Sequence, residues 1–226
     1  MKLLIIFFLA VAALRSPAQN RGYDTLPYVL EFHQKKIDEF SKEPIMKGKV
    51  IFLGNSITAF GDWKHLLNDS TIVNRGIPGD ITFGILNRLS DVISRQPSKL
   101  FIKIGMNDIS KNIPDNVIVE NIVSIVHRVK KESPTTKIFV QSILPTNDSV
   151  KTHYPDAFGK NDHVVLVNNK LKKAAKKEGY IFIDLYSKFH DENGKLDFKY
   201  SKNDGIHLNA EGYHLWVMIL RQGKYL

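Results

Sequence analysis

Five short runs rich in β-branched and aromatic residues set what this chain can fold into: Lys49–Leu53, Thr71–Asn74, Lys99–Ile104, Lys137–Leu144 and Tyr180–Leu185. None alternates between apolar and polar positions, so each reads as a strand buried on both faces. Segments of helical period lie between and after them, at Ile81–Arg95, Asp115–Glu132, His163–Glu178 and Ala210–Arg221. Pro97 and Pro145 mark two of the breaks. Strands that alternate with helices predict a parallel sheet covered on both sides, an α/β fold of the three-layer α/β/α sandwich type. Right-handed crossovers restrict the strand order, and the flavodoxin-like order 2-1-3-4-5 is expected. A further amphipathic helix is expected before the first strand, from Tyr28 to Glu43.

The N-terminus obeys a different grammar. Lys2 precedes an unbroken apolar run from Leu3 to Leu14, and Ser16-Pro17-Ala18 supplies a small-x-small exit. This pattern predicts a secretory signal peptide over residues 1–18 and a single exported domain over 19–226, in the periplasm or outside the cell. The apolar run is short for a bilayer span, so no stable membrane anchor is expected once the signal is removed. With no cysteine in the chain, thiol nucleophiles, thiolate zinc sites and disulfides are excluded.

The formal charge is +9. Much of it sits at Lys170, Lys172, Lys173, Lys176 and Lys177, at spacings that suit the solvated face of a helix. No interleaved aromatic pattern or nucleic-acid motif accompanies these lysines, and no nucleic-acid partner is expected. Neither Gly-x-Gly-x-x-Gly nor a phosphate-binding Gly-Lys-Ser/Thr is present, which argues against a nucleotide site.

Chemistry-bearing residues follow the strand ends. Ser56 follows the first strand through Gly54-Asn55, Gly76 and Gly79 follow the second, and Asn107 follows the third. In the expected topology these three loops are neighbours on one rim. A serine hydroxyl needs a base to act as a nucleophile, and His207 in Asp204-Gly205-Ile206-His207 is the best placed of the histidines. Asp204 can orient its ring in the manner of a Ser-His-Asp triad. Donors for a developing oxyanion are available at the Ser56 and Gly79 amides and the Asn107 side chain. Each residue also has a plainer reading: Ser56 and Asn107 as caps, Gly79 as a turn glycine, and Asp204–His207 as a loop leading to a helix capped by Asn209. Trp63 is expected in the core. Tyr154 and Phe158, in the loop after the fourth strand, either offer faces to a sugar or pack locally.

Taken together, these residues resemble the SGNH (GDSL-like) hydrolases. Gly54-Asn55-Ser56-Ile57-Thr58 is similar to the family's first block, Asn74–Thr82 to its second, Gly105-Met106-Asn107-Asp108 to its third and Asp204–Leu208 to its fifth. The resemblance implies a serine hydrolase with Ser56 as nucleophile, His207 as base, Asp204 as orienting carboxylate, and Ser56, Gly79 and Asn107 as the oxyanion hole. It implies no cofactor and no metal. The first two blocks look like the branch of the platelet-activating-factor acetylhydrolase catalytic subunits, although Pro78 stands where that branch often has glycine. Exported bacterial members of the branch are often carbohydrate or sialic-acid O-acetylesterases. The expected partner is therefore a small-molecule or glycan acyl ester, with a lysophospholipase, a thioesterase or a non-catalytic glycan binder as alternatives. The Gly-x-Ser-x-Gly elbow of α/β-hydrolases is absent, because Thr58 holds the last position.

Overall fold

The computed structural model describes residues 27–150 and 153–226; the expected signal peptide lies outside them. The sheet is parallel and five-stranded in the order β2-β1-β3-β4-β5. Its strands are β1 (Val50–Gly54), β2 (Val73–Gly76), β3 (Lys99–Lys103), β4 (Lys137–Gln141) and β5 (Ile181–Ile183). The helices are α1 (Pro27–Ser41), α2 (Ser56–Ala59), α3 (Trp63–Leu67), α4 (Thr82–Ser94), α5 (Met106–Ser110), α6 (Asp115–Glu132), α7 (Asn161–Glu178), α8 (Tyr186–Phe189) and α9 (Ala210–Gln222), with a 3-10 turn at Pro155–Ala157. The expected sandwich and strand order are both present.

Two apolar layers flank the sheet. On one face Ile51, Leu53, Leu100, Ile102, Ile138 and Val140 meet the buried stripes of α4, α6 and α7. On the other, Phe52, Phe101 and Phe139 stack across neighbouring strands with centroids 4.8 and 4.5 Å apart. Trp63 continues that stack on Phe52 at 4.0 Å, donates its indole N–H to the Thr58 carbonyl, and meets Trp216 of α9 edge-on. It is a core residue, as expected. The lysines of α7 all face solvent, while Val164, Val167 and Leu171 face inward.

The second strand lies two residues later than the sequence suggests, because Ile51 pairs with Val73 and Gly54 with Gly76. Asn74 is in the strand as expected; Arg75, expected just past it, lies inside it as well, and both polar side chains find partners there. Asn74 donates to the carbonyls of Thr58, Ala59 and Gly61. Arg75, 1% exposed, pairs with Glu43 and Asp91 at 2.7 and 2.8 Å.

Lys103 ends β3 on the aromatic face, fully buried, with its ammonium 5.8 Å from the Trp216 ring centroid. Among the described residues no carboxylate pairs with it. Burial drives its pKa from the ordinary 10.5 down to about 7. Between those two values the unfolded chain holds a proton that the folded chain has released, so this group makes stability rise with pH across that window. Lys103→Met should therefore raise the melting temperature most near pH 7, with its advantage shrinking toward pH 10. Thermal melts of both proteins across that range test this, and an advantage that does not shrink would contradict the burial argument.

Candidate active site

The site begins where β1 runs out. Asn55 caps α2 by accepting the Ile57 N–H at 3.2 Å, so the capping task falls to Asn55 and not to Ser56. The Ser56 hydroxyl is thereby released from local structure, and it lies 2.9 Å from His207 Nε2. Tyr213 of α9 braces this short helix from behind by donating its hydroxyl to the Ile57 carbonyl at 2.7 Å.

His207 is held by its own turn. Asp204 Oδ1 accepts the backbone N–H groups of Ile206 and His207, each at 2.9 Å, and Oδ2 accepts from the ring Nδ1 at 2.7 Å. A carboxylate accepts only, so Nδ1 carries the proton and Nε2 is left to accept from the Ser56 hydroxyl. Partial burial pulls the Asp204 carboxyl up. The hydrogen bonds from the His207 backbone, the His207 ring and the Ile206 N–H outweigh it, and the net pKa lies below the ordinary carboxylate value. Asn209 caps α9 by accepting the Gly212 N–H. Cap and carboxylate are thus separate residues, and the two readings of this loop are both met.

The turn is fixed from outside as well. Asn147, just past β4, donates its backbone N–H to the Gly205 carbonyl at 2.8 Å and its side-chain amide to the Leu196 carbonyl. Its part in positioning the histidine has a faint trace in sequence, the Pro145-Thr146-Asn147-Asp148 stop after a strand.

On the other side of Ser56, Gly79 adopts φ +81, a conformation that suits glycine. Pro78 before it fixes the approach, and both line the cleft. Asn107 sits in the first turn of α5 rather than in a loop, and its side-chain amide donates to the Asp80 carbonyl at 2.9 Å. That bond orients the amide and leaves its second N–H to serve an incoming oxygen.

Two buried carboxylates, neither assigned a role in the sequence reading, tie these segments together. Asp80 Oδ1 accepts the Ile81 N–H, and Oδ2 pairs with Arg88 through Nε and Nη2, each at 2.8 Å. Asp108 accepts from the Thr82 backbone N–H and hydroxyl, clamping α5 to the start of α4. Burial pushes Asp108 up to about 6, with Thr82 pulling against it and the neighbouring Asp80 charge adding to it. Pairings across 26 residues of sequence leave no local signature.

The result is a cleft of about 610 Å³ that Ser56, Gly79, Asn107, Asp204 and His207 all line. Phe60 and Tyr154 flank the His207 ring at 5.2 and 6.1 Å. Lys202 sits over Phe60 at 5.4 Å. Tyr154 therefore faces the cleft, whereas Phe158 packs on the core. Among the described residues, no group of three or more His, Cys, Asp or Glu is arranged to hold a metal ion.

Residues 52–215 match the GDSL-like Lipase/Acylhydrolase family. An arylesterase of Vibrio mimicus is 26% identical over 59% of this chain and 70% of its own length. A solved structure from Streptococcus pneumonia, provisionally named a platelet activating factor, is 27% identical and superposes with a TM-score of 0.78 over 87% of this chain and 94% of its own. A variant of an acetyl-xylooligosaccharide esterase from Geobacillus Stearmophilus shares the fold at 18% identity, with a TM-score of 0.62 over 79% of this chain and 95% of that one. The chain belongs to the GDSL-like lipase/acylhydrolase family and is an ester-hydrolysing serine hydrolase.

Proposed function

We propose that this chain is an exported esterase that removes a short acyl group, acetyl in the leading reading, from a carbohydrate through an acyl-serine intermediate. The observation that carries it is the unbroken chain Asp204–His207–Ser56, with links of 2.7 and 2.9 Å, at the wall of an open cleft. In this reading Ser56 Oγ attacks the ester carbonyl carbon while His207 Nε2 takes its proton. Negative charge collects on the carbonyl oxygen, and the Ser56 amide, Gly79 amide and Asn107 side chain receive it. The tetrahedral intermediate collapses, and the departing alcohol takes the proton from His207. Water, deprotonated by the same histidine, then attacks the acyl-serine and releases the acid.

Export rests on the Leu3–Leu14 apolar run and its small-residue exit. A sugar as the alcohol half is supported by the exposed rings of Phe60 and Tyr154 beside His207, on the side where a leaving alcohol must collect its proton. The same fold serves the acetyl-xylooligosaccharide esterase, which makes an acetylated sugar a fitting substrate class.

Residues 19–226 should hydrolyse chromogenic acetyl esters faster than butyryl esters, and butyryl faster than octanoyl, and should release acetate from O-acetylated sugars. Peak activity on octanoyl esters would point instead to a lysophospholipase or thioesterase. Ser56→Ala should lower turnover by at least about 10³-fold and abolish labelling by a fluorophosphonate. Asp204→Asn should lower kcat by about 10⁴-fold by permitting the wrong histidine tautomer, and its strongly downfield Nδ1 proton resonance should vanish. Asn107→Ala should lower kcat by about 10²–10³-fold with little change in KM, as the loss of a transition-state donor requires. A raised KM with kcat unchanged would place Asn107 in substrate binding instead.

A further inference from the structure

The family match starts at residue 52, so α1 lies outside it, yet two consecutive residues of α1 reach the cleft wall and the residue after Gly79. Phe32 lines the cleft and is 40% exposed there. His33 is 8% exposed and donates from Nε2 to Asp80 Oδ1 at 3.0 Å. Asp80 follows Gly79 directly, and its carbonyl oxygen is the atom that orients the Asn107 amide. One fully buried residue therefore connects α1 to two of the three expected oxyanion donors.

The neighbouring sequence is shaped around that contact. Gly84 lies inside α4, where glycine is a poor helix former. A Cβ at this position would fall on Asp80 Oδ1 and stand 3.0 Å from both Asp80 Cγ and His33 Nε2. The absent side chain is the space the His33–Asp80 bond occupies. At its other end α1 is tied down independently, with the Arg75 guanidinium 4.3 Å over the Phe40 ring and Arg95 donating to the Phe40 carbonyl.

We propose that α1 is a substrate-selecting wall of the cleft, in which Phe32 packs against the bound ester and the His33–Asp80 bond holds that wall in register with the Gly79 loop. The proposal rests on the esterase reading of the cleft. In it Phe32 is a specificity-determining residue and His33 a positioning residue, since His33 acts through Asp80.

The test compares full-chain variants on two ester series, one varying acyl length at a fixed leaving group and one varying the alcohol at fixed acetyl. Phe32→Ala should change the kcat/KM ratio between the smallest and largest esters by about tenfold in at least one series, mainly through KM. Phe32→Leu should return the ratio toward wild type. His33→Ala should reproduce the shift and also lower kcat on the smallest ester, with His33→Gln, which keeps a donor, recovering both. Gly84→Ala should behave as His33→Ala does. Ratios unchanged within about twofold in both series for Phe32→Ala would overturn the wall. A His33→Ala protein that melts earlier but keeps its kcat and selectivity would overturn the latch. Wild-type turnover separates the levels: an inactive wild type would bring down the esterase reading and the wall with it, whereas an active wild type confines any failure to α1.

Discussion

A parallel sheet buried on both faces leaves little room for polar chemistry along its length, and the carboxyl ends of its strands become the natural place for it. Here β1, β2 and β3 are adjacent and in register, with Gly54 beside both Gly76 and Lys103. Their ends therefore emerge side by side, carrying Ser56, Gly79 and Asn107. The histidine turn arrives from the far end of the chain and is secured to the segment after β4 by Asn147. Every distance in the site descends from that pairing pattern. Side chains then refine it, with Asn55 freeing the serine and Asp204 fixing the ring.

Charge is handled differently inside and outside. The lysines of α7 are exposed to water, which is why a strongly basic composition carries so little information about function here. The buried arginines form a belt around β2 and α4. Arg75, Arg88 and Arg95 are each at most 4% exposed, and each is paired with Asp80, Asp91 or Glu43. Buried ion pairs add little to stability relative to an apolar core, but they tolerate few alternative placements. The Asp80–Arg88 pair adjoins Gly79 directly and puts that rigidity beside a proposed oxyanion donor. Lys103 departs from this arrangement, since it is buried without a counter-charge among the described residues.

The fold was legible because it rests on period and alternation. The α6 helix begins and ends where its sequence pattern does, and all five strands lie within or overlap their apolar runs. The offset at β2 has a physical origin: Arg75 is charged and precedes a glycine, so it reads as the end of the strand, and its burial is possible through partners on α4 and the segment after α1, which local sequence does not display. The convergence of the five candidate residues on one cleft was legible for a related reason, because each occupies a strand end or a short turn whose motif is local. Asp80, Asp108, His33 and Phe32 were not singled out, since their meaning lies in contacts made across long stretches of chain. The short α5 was missed as well; a strand stop and the first turn of a helix look alike over four residues.

Trp63 and Trp216, the chain's two tryptophans, meet edge to face at 4.7 Å in the same apolar layer. That layer contains α3 and α9, the helix that follows His207, while α4, α6 and α7 lie across the sheet with no indole among them. Intrinsic fluorescence is therefore an optical reporter for one side of this molecule. Emission follows the layer that seats the histidine turn, and circular dichroism, dominated by the long helices opposite, follows the other. Recorded together, the two signals separate loosening of the catalytic side from collapse of the whole.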